Sequence, residues 1–282
     1  MKVVIVDSGI KLNHRVFARS RERIHCFQYV AESVSYITED NDSFGHGTAV
    51  AGIISQTNKD INIVMIGIPG IEEGMDARTL VCVLNYIRVT QKPDVINLSL
   101  GVNICDNYDE LYCACQALTD DGTIIVAAFD NSGSISYPAA FDNVIGVTSG
   151  SSLRKTNEFG FFEDEVINIV AKGGLQRVAW IGPEYILLSG NSLACAHTTS
   201  KVIDYLYEGA RNRNEVLEMF KRDASTIYQI KAHNPCTQIG FDIDKAALFP
   251  FNKEMHSLVR YSYLLPFTIN FSLGSPNSKR PR

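Results

Sequence analysis

The sequence predicts an α/β protein with a doubly wound, mostly parallel central sheet and helices on both faces. Three observations carry that expectation. Short β-branched runs alternate with amphipathic segments over the first 150 or so residues, which is the rhythm of parallel strands joined by crossover helices. The first run, Val3-Val4-Ile5-Val6, is continuously apolar, as a strand covered on both faces is. Finally, the runs break into polar, glycine-containing turns such as Asp7-Ser8-Gly9, which puts polar side chains at the carboxyl edge of the sheet, where open α/β sheets hold their ligands.

Taken in order, residues 2–6 form a strand that delivers Asp7 at its end, and a further strand is expected around 25–29. Small apolar residues at helical spacing in 49–54, after a glycine-flanked histidine, place His46 at the start of a buried helix. Residues 62–68 read as a strand. Leu80, Val83, Leu84 and Ile87 share one face of a helix over 76–89. Strands at 94–101, 123–128 and 144–148 follow, with a helix at 108–120 between the first two. Gly190-Asn191-Ser192 opens into an apolar helix, and 214–222 is a further helix. Beyond residue 250 the pattern alternates and becomes β-prone, with Pro266 suggesting an edge or a turn. The expected organisation is a domain over 1–249 and a C-terminal extension over 250–282 that packs on the core and ends in a disordered basic tail.

Composition narrows the function classes. The chain has 282 residues, 45% hydrophobic and 20% charged, and a net charge of −5. It is long enough to bury a full core, and the balance argues against a nucleic-acid-binding surface. The basic cluster Lys279-Arg280-Pro281-Arg282 reads as a solvated tail. No stretch has the layout of a secretory signal, and none approaches the roughly 18 apolar residues that span a bilayer. The cysteines, Cys26, Cys82, Cys105, Cys113, Cys115, Cys195 and Cys236, are odd in number and irregularly spaced. That favours reduced thiols and a cytoplasmic setting over a disulfide framework. The C-x-C pair Cys113 and Cys115 lacks a second pair or matching histidines, so no metal and no cofactor is expected.

Three positions stand out chemically. Ser192 would sit at a helix mouth, near orphan N–H groups and the positive end of the helix dipole. A serine becomes a nucleophile only when a base takes its proton, a third group orients that base and donors hold the oxyanion. Asp7 at a strand end and His46 at a helix start complete such a set, and only the tertiary fold can unite three residues so far apart in the chain.

Four segments carry a resemblance to the subtilase (subtilisin-like) serine peptidases. Val4-Ile5-Val6-Asp7-Ser8-Gly9-Ile10 resembles the aspartate motif of that family, and Gly45-His46-Gly47-Thr48-Ala49-Val50-Ala51-Gly52 its histidine motif. Val95-Ile96-Asn97-Leu98-Ser99-Leu100-Gly101 resembles its substrate-binding strand, and Gly190-Asn191-Ser192-Leu193-Ala194 with His197 its serine motif. Residues 240–247 resemble the closing segment. The resemblance implies that Asp7 orients the imidazole, His46 is base and then acid, and Ser192 is the acylated nucleophile. It also implies that Ser99, Leu100 and Gly101 pair with an extended peptide or protein substrate, with Ala127, Ala128 and Phe129 beside the specificity pocket. The expected activity is a serine endopeptidase dedicated to processing a leader peptide or to regulatory cleavage. The competing readings are an impaired homologue that binds peptides and a peptide cyclase or ligase.

The chain departs from the family pattern at the oxyanion turn. Where an Ala-Ala-Gly-Asn-like sequence is implied, it has Ala127-Ala128-Phe129-Asp130-Asn131. An ionised carboxylate accepts but cannot donate. Either Asn131 donates from one position further on, or Asp130 is protonated, or catalysis is slow; Asn131 is preferred, and the N–H side of Ser192 completes the hole. Phe129 either fills the pocket, which would narrow specificity, or turns its ring into the core. Asn191, Cys195 and Ala196 stand where threonine, serine and proline are implied and read as packing changes, with Cys195 a buried small residue. The short segment before Asp7 is read as lacking a propeptide, which favours restraint by specificity, and the family's calcium sites are not carried over.

Overall fold

Strand β1 (Lys2–Asp7) is the axis of a ten-stranded sheet in the structure, a computed structural model that describes residues 1–228 apart from 58, 104, 164 and 165. The chain continues through the hairpin β2 (Ile24–Val30) and β3 (Ser33–Ile37), helix α1 (His46–Ile54), strand β4 (Asn62–Gly67), helix α2 (Ala77–Thr90) and strand β5 (Val95–Leu98). Helix α3 (Tyr108–Asp120) and strands β6 (Ile124–Ala128), β7 (Ile145–Ser149), β8 (Gly160–Phe162) and β9 (Ile169–Ala171) follow. A separate two-stranded sheet, β10 (Gln176–Ala179) with β11 (Tyr185–Leu188), precedes helices α4 (Asn191–Tyr207) and α5 (Arg213–Asp223) and strand β12 (Thr226–Tyr228).

The large sheet runs β12-β8-β9-β7-β6-β5-β1-β4-β2-β3, and its central pairs are parallel. The chain first builds on one side of β1, through β2 and β4, and then crosses to the other side for β5, β6 and β7. Its topological switch point therefore lies at β1, and Asp7 stands at the carboxyl end of that strand, where such sheets leave a crevice. One face of the sheet, with Val3, Ile5, Met65, Val95, Val126 and Val147, packs against Val50, Ile54, Ala194 and Val202 of α1 and α4. Strand alternation turns Val4, Val6, Ile66 and Ile96 to the opposite face, and all four are buried there. The doubly wound architecture is as expected.

Three local outcomes differ from the sequence reading. Strand β5 ends at Leu98, so Ser99, Leu100 and Gly101 leave the sheet instead of extending it; the only pairing beyond them among the described residues is the isolated antiparallel bridge of Val102 with Tyr137. The strand expected around 25–29 is half of a hairpin whose second strand, β3, has little buried surface; without an apolar face it has no periodic signature. Strands β8 to β12 are three or four residues each, too short for periodicity to register. The expected closing segment, 240–247, and the extension, 250–282, lie outside the described residues. Among the described residues no helix is long and apolar enough to cross a membrane.

Candidate active site

Asp7 and His46 meet at the carboxyl end of β1, where α1 begins, and Ser192 opens α4, which packs beside α1 on the same face of the sheet. Asp7 is 2% exposed. Its carboxylate accepts from Ser8 N–H at 2.8 Å and holds His46 Nδ1 at 2.8 Å from Oδ1 and 3.0 Å from Oδ2. This close approach of α1 to β1 needs Gly47: a Cβ there would lie 2.1 Å from the Gly9 carbonyl oxygen. Gly45 enters the helix at φ 108°, in the left-handed region, with the Trp180 ring 2.7 Å from where its Cβ would be.

The carboxylate of Asp42 ties this corner together. Its Oδ1 accepts from Ser8 Oγ at 2.8 Å, Gly45 N–H at 2.7 Å and Phe44 N–H at 3.1 Å. Its Oδ2 accepts from Thr48 N–H at 2.9 Å and Thr48 Oγ1 at 2.6 Å. The group thus satisfies orphan donors in the first turn of α1 and opposes the positive helix end, while Ser8 Oγ accepts from Gly47 N–H at 2.9 Å. Burial favours the neutral imidazole of His46, but the charges of Asp7 and Asp42 and the Asp7 hydrogen bond outweigh it and raise the pKa. Sequence reasoning passed over Asp42, although a carboxylate four residues before a glycine-flanked histidine is a legible helix-entry signal. It also passed over Phe44 and Trp180. The Phe44 ring stacks on His46 with centroids 6.4 Å apart, and Trp180 meets Phe44 edge-on at 6.0 Å.

Ser192 is the second residue of α4. Its Oγ donates to the Ser99 carbonyl oxygen at 3.0 Å, and Ser99 Oγ lies 3.0 Å from both the Ser192 carbonyl oxygen and Asn97 Oδ1. The Ser192 N–H belongs to the unpaired first turn and takes no acceptor among the described residues. Behind it Cys195 is fully buried, and burial pushes its thiol up to about 12, so it stays an inert packing group. His197 is held neutral, its pKa lowered to about 4 by burial and by Lys172, and its Nε2 sits 2.9 Å from Gln176 Oε1.

Beside Ser192 lies a cavity of about 150 Å³ lined by Ser99, Leu100, Gly101, Ala128, Phe129, Asp130, Asn131 and Ser136. Most of the expected pocket residues are thus brought together. Ala127 is not: it is wholly buried inside β6. Phe129 contributes to the lining, but it is only 2% exposed and its ring lies against Gly146, where a Cβ would come 2.7 Å from the ring. Of the two arrangements the sequence leaves open, the structure has the ring turned into the core.

Hydrogen bonds fix the turn after β6, where the resemblance implies an oxyanion donor. The Asp130 carboxylate accepts from Ser132 N–H at 2.8 Å and from Ser132 Oγ. Burial opposes its ionisation, but those bonds, with help from Asn103 and the Asn131 N–H, keep its pKa below the usual carboxylate value. It is ionised and has no proton to give, so a protonated Asp130 is set aside. Asn131 is exposed, and its Oδ1 accepts from Asn191 N–H at 2.8 Å. This leaves Nδ2 as a donor without an acceptor among the described residues, and Asn131 and Ser192 line the same cavity.

Comparison with known proteins shows the family and the fold. A sequence model of the Subtilase family matches residues 1–212. The major intracellular serine protease of Bacillus subtilis is 31% identical over 216 residues, which cover 71% of this chain and 66% of that protein; the chain thus spans just under two thirds of the length of that relative. A cold-adapted subtilisin-like serine proteinase superimposes with a TM-score of 0.63 at 21% identity, covering 79% of this chain and 84% of the other. A lanthipeptide protease does so with a TM-score of 0.62 at 19% identity, covering 79% of each. The chain belongs to the subtilase family.

Proposed function

We propose that the protein is a serine endopeptidase in which Ser192 is the nucleophile, His46 the general base and then acid, and Asp7 the group that orients the imidazole. The observation that carries this reading is the buried Asp7 carboxylate held 2.8 Å from His46 Nδ1, with Ser192 at the helix mouth beside a cavity. Asp7 fixes the tautomer with the proton on Nδ1, which leaves Nε2 free to take the hydroxyl proton. In the resting arrangement that proton is given to the Ser99 carbonyl oxygen; a rotation about one side-chain bond redirects it. Attack on the substrate carbonyl forms a tetrahedral oxyanion, met by the Ser192 N–H and Asn131 Nδ2. His46 then gives its proton to the leaving amine, and water repeats the sequence to release the acyl group.

The substrate is an extended peptide segment along Ser99, Leu100 and Gly101, whose departure from the sheet leaves main chain free to pair with it. A cavity of about 150 Å³ suits one modest side chain, which supports a dedicated processing protease over a broad degradative one. The fold is shared with a lanthipeptide protease, whose named substrate class is of that kind. A cytoplasmic setting is supported by the intracellular relative. Residues 1–249 form the catalytic domain in this reading, with 250–282 as an extension.

Labelling of the full chain with an active-site fluorophosphonate tests the assignment. The expected adduct is on Ser192, absent from Ser192→Ala; a protein that folds but shows no Ser192-dependent adduct is a peptide-binding homologue instead. Hydrolysed product in the presence of a competing amine separates peptidase from ligase.

The pH profile checks the role of Asp42. Because the neutral imidazole is the base, kcat/KM rises with pH through the raised pKa of His46 and is lost below it. Asp42→Asn removes one of the two charges that raise that pKa. The acid limb is expected to move to lower pH and the plateau to fall as α1 loses its cap, with stability lower by about 1 kcal/mol. An acid limb that stays in place means Asp42 has no electrostatic hold on His46.

A further inference from the structure

Asn191 stands where the family resemblance implies threonine, and its surroundings show more than a change of packing. The residue is 6% exposed at the first position of α4. Its Nδ2 donates to the Phe129 carbonyl oxygen at 3.0 Å and to the Asp130 carbonyl oxygen at 3.0 Å, and its Oδ1 accepts from Ser149 N–H at 2.8 Å. Both amide protons and the amide oxygen are therefore committed. They join three elements: the turn after β6, the end of β7 and the nucleophile helix. The main-chain N–H of Asn191 donates to Asn131 Oδ1 at 2.8 Å. One residue thus grips the turn that carries Asn131 by its backbone and Asn131 itself by its side-chain oxygen.

From this geometry we infer that Asn191 is a positioning residue that aims Asn131 Nδ2 at the developing oxyanion, an inference that rests on the reading of Asn131 as an oxyanion donor. The physical reason is the unusual turn. Phe129 sends its ring into the core against Gly146, and Asp130 takes the place where the donor is implied, with its carboxylate turned to Ser132. The donor is thereby moved one residue along, onto an exposed turn whose local bonds, from Ser132 N–H to the Asp130 carboxylate and from Gly133 N–H to the Asp130 carbonyl oxygen, hold its backbone but not the Asn131 carboxamide. A threonine hydroxyl carries one proton and could not bond two carbonyl oxygens and a main-chain N–H together. The longer carboxamide of Asn191 does, and it bonds the two carbonyl groups directly ahead of Asn131. Asn191 touches neither substrate nor oxyanion in this scheme; it acts through Asn131, whose amide would otherwise swing freely in solvent.

A double-mutant cycle on the full chain tests it, with kcat and KM measured on a cleavable peptide. Asn131→Ala is expected to lower kcat about 100-fold, the usual loss for one oxyanion donor. Asn191→Ala is expected to lower kcat about 10-fold with KM changed less than twofold, since the aim of a donor and not substrate affinity is lost. The double variant is expected to match Asn131→Ala within about twofold, because Asn191 has nothing left to position. If the two losses multiply, Asn191 acts independently of Asn131 and the inference falls while Asn131 keeps its role. If Asn131→Ala leaves kcat unchanged, the oxyanion reading itself falls, and the inference with it. Should Asn191→Ala fail to fold, Asn191→Thr gives the same cycle with a polar group retained at the buried position, and the same two outcomes decide.

Discussion

His46→Ala is expected to lower kcat by about 10⁶-fold, the size of loss that follows removal of the base from such a triad, with KM changed only a few-fold. The reason lies in how completely the site depends on one imidazole. Among the described residues, His46 is the only side chain that hydrogen-bonds the Asp7 carboxylate. The other histidines near the nucleophile helix or its neighbours are committed elsewhere. His197 is buried, neutral and bound to Gln176, and His14 Nε2 sits 2.7 Å from the Glu184 carbonyl oxygen. Without a base the Ser192 proton stays on its hydroxyl, donated to Ser99. The remaining turnover would come from the oxyanion donors and from substrate positioning alone. Single-turnover kinetics on a peptide substrate, with thermal unfolding as the control for folding, provides the check; a loss below about 100-fold would mean that another group accepts the proton.

Asp7→Asn is expected to lower kcat about 10⁴-fold while leaving the fold intact. The substitution keeps shape and volume inside a site that is 2% exposed. What changes is polarity. A carboxylate can only accept, so His46 Nδ1 must carry the proton and Nε2 must be free. An asparagine can present its amide N–H to Nδ1 instead, which stabilises the opposite tautomer and leaves Nε2 protonated and useless as a base. The same change removes one of the two charges, Asp7 and Asp42, that raise the His46 pKa. Residual activity should therefore persist to lower pH than in the wild type, since the imidazole stays neutral further down. The ring ¹⁵N chemical shifts of His46 report the tautomer directly. A variant whose Nε2 remains unprotonated at neutral pH but whose activity still collapses would place the role of Asp7 in geometry rather than in proton placement.

The parts of this site that were legible in the sequence share a property: each is announced by a local pattern. Asp7 follows a continuous apolar run, His46 is flanked by glycines before small helical residues, and Ser192 opens an apolar helix. Each was visible because a strand or helix of fixed period must end there. The parallel, doubly wound sheet follows from the same alternation of strand and helix, whereas the order of its strands is seen only in the structure. Asp42 is equally local, a carboxylate at a helix entrance, but its bond to Ser8 at the end of β1 forms only where that strand and α1 meet. The short strands from β8 to β12 carried too few residues for a period to show.

What the sequence by itself determined is the set of chemical groups and the elements that end in them: a carboxylate, an imidazole and a hydroxyl at element termini of a doubly wound sheet. Only the tertiary structure decided how the turn after β6 is arranged. Whether Phe129 points into the pocket depends on the empty space over Gly146 in the neighbouring strand. Whether Asp130 can donate depends on the hydroxyl and N–H groups that converge on it. That Asn191 is a clamp and not a spacer depends on carbonyl groups about sixty residues away in the chain. A side chain's direction and protonation are set by what lies across from it in space, and in this site those partners come from different strands and helices, whose meeting no local pattern in the sequence encodes.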